Sequence, residues 1–170
     1  MEPKEQLRKE LDRLKRRRGV STSQRGYELE SLIIRVASSE GIECGASYRA
    51  KGEQIDGLLE LDSRYLLLEA RWTPEPLPAS EIYAFRAKVE GKLVGTVGVF
   101  IAVNGFAETV PDVLRFGKQI NVILVDGDDL TLALKDEYSF KRMLQVKLRR
   151  AAQHGEVWYA YRRHLDEAGA

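Results

Sequence analysis

Residues 54–72, QIDGLLELDSRYLLLEARW, decide the fold. Ile55, Leu58, Leu59 and Leu61 precede a short polar break, and Tyr65, Leu66, Leu67 and Leu68 follow it. Runs this short and this rich in bulky apolar residues read as adjacent strands. Asp62 and Ser63 are good turn formers, so the pair reads as a β-hairpin. With a two-residue loop, Leu61 pairs with Arg64, and counting outward sets Asp56 opposite Glu69. Side chains directly opposite on an antiparallel pair stand about 5 Å apart on one face. Arg71, two residues beyond Glu69, shares that face. The count depends on the turn, because a one-residue slip moves every side chain to the other face.

Two carboxylates so close repel unless a proton, a cationic side chain or a metal ion neutralises them. Mg²⁺ is held by few carboxylates and keeps several waters. Such an ion polarises a phosphoryl oxygen and acidifies an attacking water. A fixed positive side chain beside it stabilises charge developing on the phosphate. Asp56, Glu69 and Arg71 therefore read as a phosphodiester-hydrolysing centre. The spacing fits a plain salt bridge on a solvated sheet face equally well.

The chain has 170 residues, 44% of them hydrophobic, enough for one ordinary domain with a real core. No apolar run reaches membrane-spanning length, and MEPKEQLRKE has no apolar stretch of a signal peptide. Cys44 is single, which excludes an internal disulfide and suggests a buried thiol. The expected location is the cytoplasm. His154 and His164 have no cysteine cluster beside them, which argues against a structural zinc site. The net charge of +1 is unevenly spread. Residues 1–18 carry eight Lys or Arg against four Asp or Glu, and residues 141–164 carry seven against one. Residues 19–140 carry twelve against nineteen. Basic ends on an acidic middle suit a nucleic-acid partner, or a helix docking on an acidic one.

In chain order, residues 4–18 read as a helix with a thin Leu7, Leu11, Leu14 stripe, stopped by Gly19. Residues 1–19 form a basic arm that packs at the domain edge, contacts a second copy or touches phosphates. Residues 20–135 form the core, and residues 136–170 a basic helix and aromatic tail packed on it. The first core helix covers residues 23–39, capped by Ser23 or Thr22, with Glu30 turned toward the hairpin. Residues 42–49 begin the sheet. After the proline loop TPEPLPAS, Ser80 caps a helix over residues 81–90. GTVGVFIAV, residues 95–103, reads as a central strand covered on both faces. A short helix over residues 107–116 and a strand over 120–125 follow. Asp126, Asp128 and Asp129 lack EF-hand spacing and read as a solvated turn before residues 130–134. A last helix covers 138–153, and residues 157–161 form an edge strand or docking segment. There is no Walker-type loop, Gly-x-Gly-x-x-Gly run or Gly-x-Ser-x-Gly elbow.

The order is helix, three strands, helix, strand, helix, strand. With Gly26-Tyr27-Glu28-Leu29-Glu30, Gly52-Glu53-Gln54-Ile55-Asp56 and Leu68-Glu69-Ala70-Arg71-Trp72, the chain resembles the Mrr-type group of the PD-(D/E)xK nuclease superfamily. Residues 99–106 and 123–127 look like later core strands of that group. The resemblance spans about residues 25–134. It implies an α/β restriction-endonuclease-like fold, a mixed central sheet of four or five strands flanked by helices. It also implies a Mg²⁺- or Mn²⁺-dependent DNA endonuclease, acting in defence against foreign DNA. Asp56 then corresponds to the metal-binding aspartate, Glu69 to the acidic residue before the catalytic lysine, and Glu30 to the helix glutamate that assists the metal. Arg71 stands where the lysine belongs. Arginine keeps the charge, but its pKa is too high for acid–base work. Lys88 and Lys51 are the candidates for a displaced ammonium group, each otherwise a solvated lysine. DNA is the implied partner, with a homodimer or an activating protein partner supplying double-strand cutting or specificity. The rival readings are an inactive nuclease-like module that binds or senses nucleic acid, and a protein-interaction subunit.

Overall fold

A computed structural model describes residues 2–45, 48–50, 53–116 and 119–169. Lys51 and Gly52 lie outside the described residues. The hairpin forms as its spacing requires. Strands β4 (Gly57–Leu61) and β5 (Arg64–Arg71) pair antiparallel, with Leu61 opposite Arg64. Asp62 and Ser63 both take positive φ, 51° and 61°. Two such residues make the type I′ turn whose twist matches the flanking strands.

The hairpin sits inside a mixed five-stranded sheet of order β1-β4-β5-β6-β7. β1 (Glu43–Gly45) runs antiparallel to β4. β6 (Val97–Ala102) and β7 (Val122–Asp126) extend the sheet in parallel from β5. β2 (Tyr48–Ala50) and β3 (Glu53–Ile55) form a separate two-stranded ribbon.

Helices cover both faces, which explains why β5 and β6 read as continuous apolar runs. Leu66, Leu68 and Ala70 of β5 join the core beneath α1 (Lys4–Arg16), α2 (Thr22–Ser39) and α6 (Phe140–His154). Leu67 joins the opposite core beneath α3 (Ala79–Glu90) and α4 (Val110–Arg115). Phe85 of α3 meets Phe100 of β6 edge to face. A Cβ on Gly98 would lie 2.6 Å from that Phe85 ring, so the close approach of α3 requires glycine there.

The arm packs on the domain, the first of its three readings: Leu7, Leu11 and Leu14 are all at most 1% exposed, each burial contributing roughly 2 kcal/mol. Several other sequence expectations shift. α2 begins a residue early, with Ser21 accepting from Gln24 N–H at 3.2 Å, so neither Thr22 nor Ser23 is the cap. α3 begins at Ala79, before Ser80. The acidic run is a helix start. Asp126 caps α5 (Gly127–Ala133) through Asp128 and Asp129 N–H, and Asp129 is buried. Residues 157–160 form no strand, and α7 (Tyr161–Gly169) follows directly. Two charge-assisted contacts lock this tail. Lys147 Nζ lies 2.5 Å from Asp129 Oδ2 and donates to the Leu124 and Tyr159 carbonyls, while Asp129 Oδ1 accepts Tyr161 N–H at 2.7 Å. Cys44 is half-buried and donates weakly to the Ile42 carbonyl. Among the described residues, no helix is long and apolar enough to cross a membrane.

Candidate active site

The β4–β5 ladder ends at the pair Gly57 and Leu68. One step further the strands part, and the Asp56 side chain replaces the missing ladder partner. Its Oδ2 accepts the Ala70 N–H at 2.9 Å. Asp56 is 2% exposed and Glu69 3%. Arg71 reaches both: Nη2 pairs with Glu69 Oε1, and Nη1 lies 3.5 Å from Asp56 Oδ2. The two carboxylates and the arginine expected from the hairpin count thus meet at the end of the sheet.

Glu30 comes from α2 and completes the group. Its carboxyl and that of Asp56 influence each other's titration. Its pKa is raised to about 7, first by burial and then by the neighbouring Asp56 charge. Asp56 and Glu69 are also raised, in each case chiefly by burial, against the pull of Arg71.

The fifth member is Lys88. It is not a solvated lysine: from α3, Nζ donates to Glu69 Oε2 at 3.0 Å and to the Gln54 carbonyl at 3.1 Å. In sequence its only signal is a position one turn from the buried Phe85 and next to the buried Val89. Helix periodicity carries no information on whether a long side chain at such a flank bends inward.

Carboxylate oxygens are the donors that a hard cation takes, and an ammonium and a guanidinium are groups that grip a phosphate. Among the described residues, however, no set of three His, Cys, Asp or Glu side chains is disposed to ligate a metal ion. Both Glu69 oxygens face cations, and Asp56 Oδ2 faces the Ala70 N–H. The donor chemistry fits Mg²⁺ or Mn²⁺; taking up the ion requires Arg71 and Lys88 to yield part of Glu69.

No family model matches the chain, and no curated protein matches it. Solved structures do. The small subunit of the heterodimeric restriction endonuclease R.BspD6I superposes with a TM-score of 0.57, covering 89% of this chain and 90% of that one at 14% identity. The architecture is restriction-endonuclease-like. A protein of unknown function, AF1548, is similar too, with a TM-score of 0.50, 14% identity, and 77% and 79% of the two chains covered. Such identities speak for the fold alone. Within this restriction-endonuclease-like fold, Glu30, Asp56, Glu69, Arg71 and Lys88 gather where β4 and β5 separate.

Proposed function

We propose that the chain is a metal-dependent DNA endonuclease of the Mrr-type PD-(D/E)xK group. The carrying observation is the meeting of Glu30, Asp56 and Glu69 with Arg71 and Lys88 at one end of the sheet. Asp56, Glu69 and Glu30 are the residues that would hold Mg²⁺ or Mn²⁺, whose chemistry when bound is polarisation of the phosphoryl oxygen and acidification of a water. Lys88 supplies the compact ammonium that Arg71 cannot, and stabilises charge developing on the phosphate. Arg71, released from Glu69, spans two phosphate oxygens with its planar fork. Glu30 exchanges its proton near neutral pH, where Asp56 needs its charge.

A duplex cut needs two such sites if each makes one nick, so the working form is a homodimer or a complex with a protein partner. The structural neighbour R.BspD6I small subunit is itself half of a heterodimer. Defence against foreign DNA is the role that matches this chemistry.

A second reading is favoured by one feature. Arg71 and Lys88 already neutralise Glu69, as expected of an inactive module that keeps the niche to bind nucleic acid or serves as a protein-interaction subunit. Supercoiled-plasmid nicking in Mg²⁺ and in Mn²⁺ decides between them. Asp56→Asn keeps an oxygen for the Ala70 N–H and so keeps the fold, while cleavage falls at least about 100-fold. Undiminished cleavage by that variant excludes the mechanism. Wild type and Arg71→Lys both inert, yet binding DNA, assign the chain to the second reading.

A further inference from the structure

The far end of the hairpin carries a second charged feature. A groove of about 390 Å³ opens between the turn and α6, lined by Asp62 and Arg64 on one side and Arg142, Gln145, Leu148 and Arg149 on the other. Arg64, Arg142 and Arg149 are exposed, and among the described residues none of their guanidinium groups makes a hydrogen bond or ion pair. The one acid, Asp62, accepts Gln145 Nε2–H at 2.8 Å and so is turned to the helix. Three arginines against one aspartate leave the groove strongly positive.

Its shape is set by rigid parts. Arg142 and Arg149 stand seven residues apart on α6, roughly 10.5 Å along one helix face. Arg64 starts β5, whose other end is Arg71, so the groove and the carboxylate niche lie at opposite ends of one strand, about 23 Å apart. Duplex DNA carries one negative charge per roughly 1.7 Å of axis, so a stretch as long as the Arg142–Arg149 spacing offers about six. Guanidinium forks match phosphate oxygens in pairs. A protein partner would want an apolar centre. The groove's apolar lining, Leu61, Leu148 and Ala152, holds no aromatic anchor, and Leu61 is buried beneath it.

We propose that Arg64, Arg142 and Arg149 form an anchoring groove for the phosphate backbone of nucleic acid, separate from the carboxylate niche. The groove's action does not require hydrolysis, so it stands whether or not the niche cuts.

The test is fluorescence anisotropy of a labelled 30-base-pair duplex in EDTA, titrated at several salt concentrations. Each single Arg→Ala variant should reduce the salt slope by about 0.9 per lost phosphate contact, and the triple variant should lower affinity on the order of 100-fold at low salt. The triple Arg→Lys variant should restore most of the slope, which a folding defect in the alanine variant would not mimic. Arg162→Ala, outside the groove, should leave the slope unchanged. Because the titration in EDTA reads binding without cleavage, failure of the groove is distinguished from failure of the niche. Wild-type slope and affinity in the triple alanine variant overturn the proposal. So does tighter wild-type binding to poly-glutamate than to the duplex at equal salt, which assigns the groove to an acidic protein.

Discussion

Lys88 Nζ stands 3.0 Å from Glu69 Oε2 while Arg71 holds the other oxygen of the same carboxylate. An ammonium and a guanidinium thus share one acid, and they are not equivalent. Lys88→Ala should lower single-turnover nicking by about 100-fold with duplex binding nearly unchanged. Arg71→Lys should keep or raise the rate, and Arg71→Ala should lower it about tenfold. Full activity in Lys88→Ala would remove the ammonium from the mechanism.

Glu30 makes the apoprotein sensitive to pH. Its pKa is about 7 when folded, above the ordinary 4.5. Between those values the folded chain binds more protons than the unfolded one, so this residue's contribution is intact below pH 4.5 and is lost as pH rises through 7. Glu30→Gln should therefore be about 1 kcal/mol more stable than wild type at pH 8 and equal to it at pH 4. Urea unfolding at the two pH values, in EDTA, reads the difference; a gain of equal size at both would place its cause elsewhere.

The buried Lys147–Asp129 pair should behave asymmetrically. Burial lowers the lysine pKa and raises that of the aspartate, each opposed by its partner. Lys147→Met leaves Asp129 without its cation and the Leu124 and Tyr159 carbonyls without their donor, costing about 3–5 kcal/mol. The double variant with Asp129→Asn should recover part of that loss, since the uncompensated charge is gone while an oxygen remains for the Tyr161 N–H. Calorimetric melting of the three proteins measures it.

Ser63 occupies a left-handed conformation, φ 61°, that costs an L residue without an amide side chain about 1 kcal/mol. Ser63→Gly should raise stability by roughly 0.5–1 kcal/mol. A loss instead would mean that the hydroxyl holds the turn.

The sheet was legible because β5 and β6 are short apolar runs with a turn and prolines between them, and because register across a two-residue loop is simple counting. Asp56, Glu69 and Arg71 followed from that count. Glu30 needed the family resemblance as well, since a carboxylate among Leu29 and Ile33 has two ways to turn. Lys88 stayed open between a displaced ammonium and a solvated lysine, and Asp129 read as part of a solvated turn, because their partners are 19 and 18 residues away on other elements. The cap at Asp126 is local to the run, but the burial of Asp129 is a tertiary fact, set by Lys147 and by the docked tail that brings the Tyr161 N–H.

The tail also settles how the sheet ends. β7 is the last strand on its side, VILVD, with its first four residues buried, the sort of segment on which another chain can extend a sheet. At its centre Leu124 has both outward backbone groups engaged, N–H with the Val157 carbonyl at 2.8 Å and carbonyl with Lys147 Nζ at 2.9 Å. The residues that tie down the C-terminus thereby blunt strand addition. Loss of the tail would expose a sticky border before it disturbed the niche, and the first symptom of damage there would be self-association.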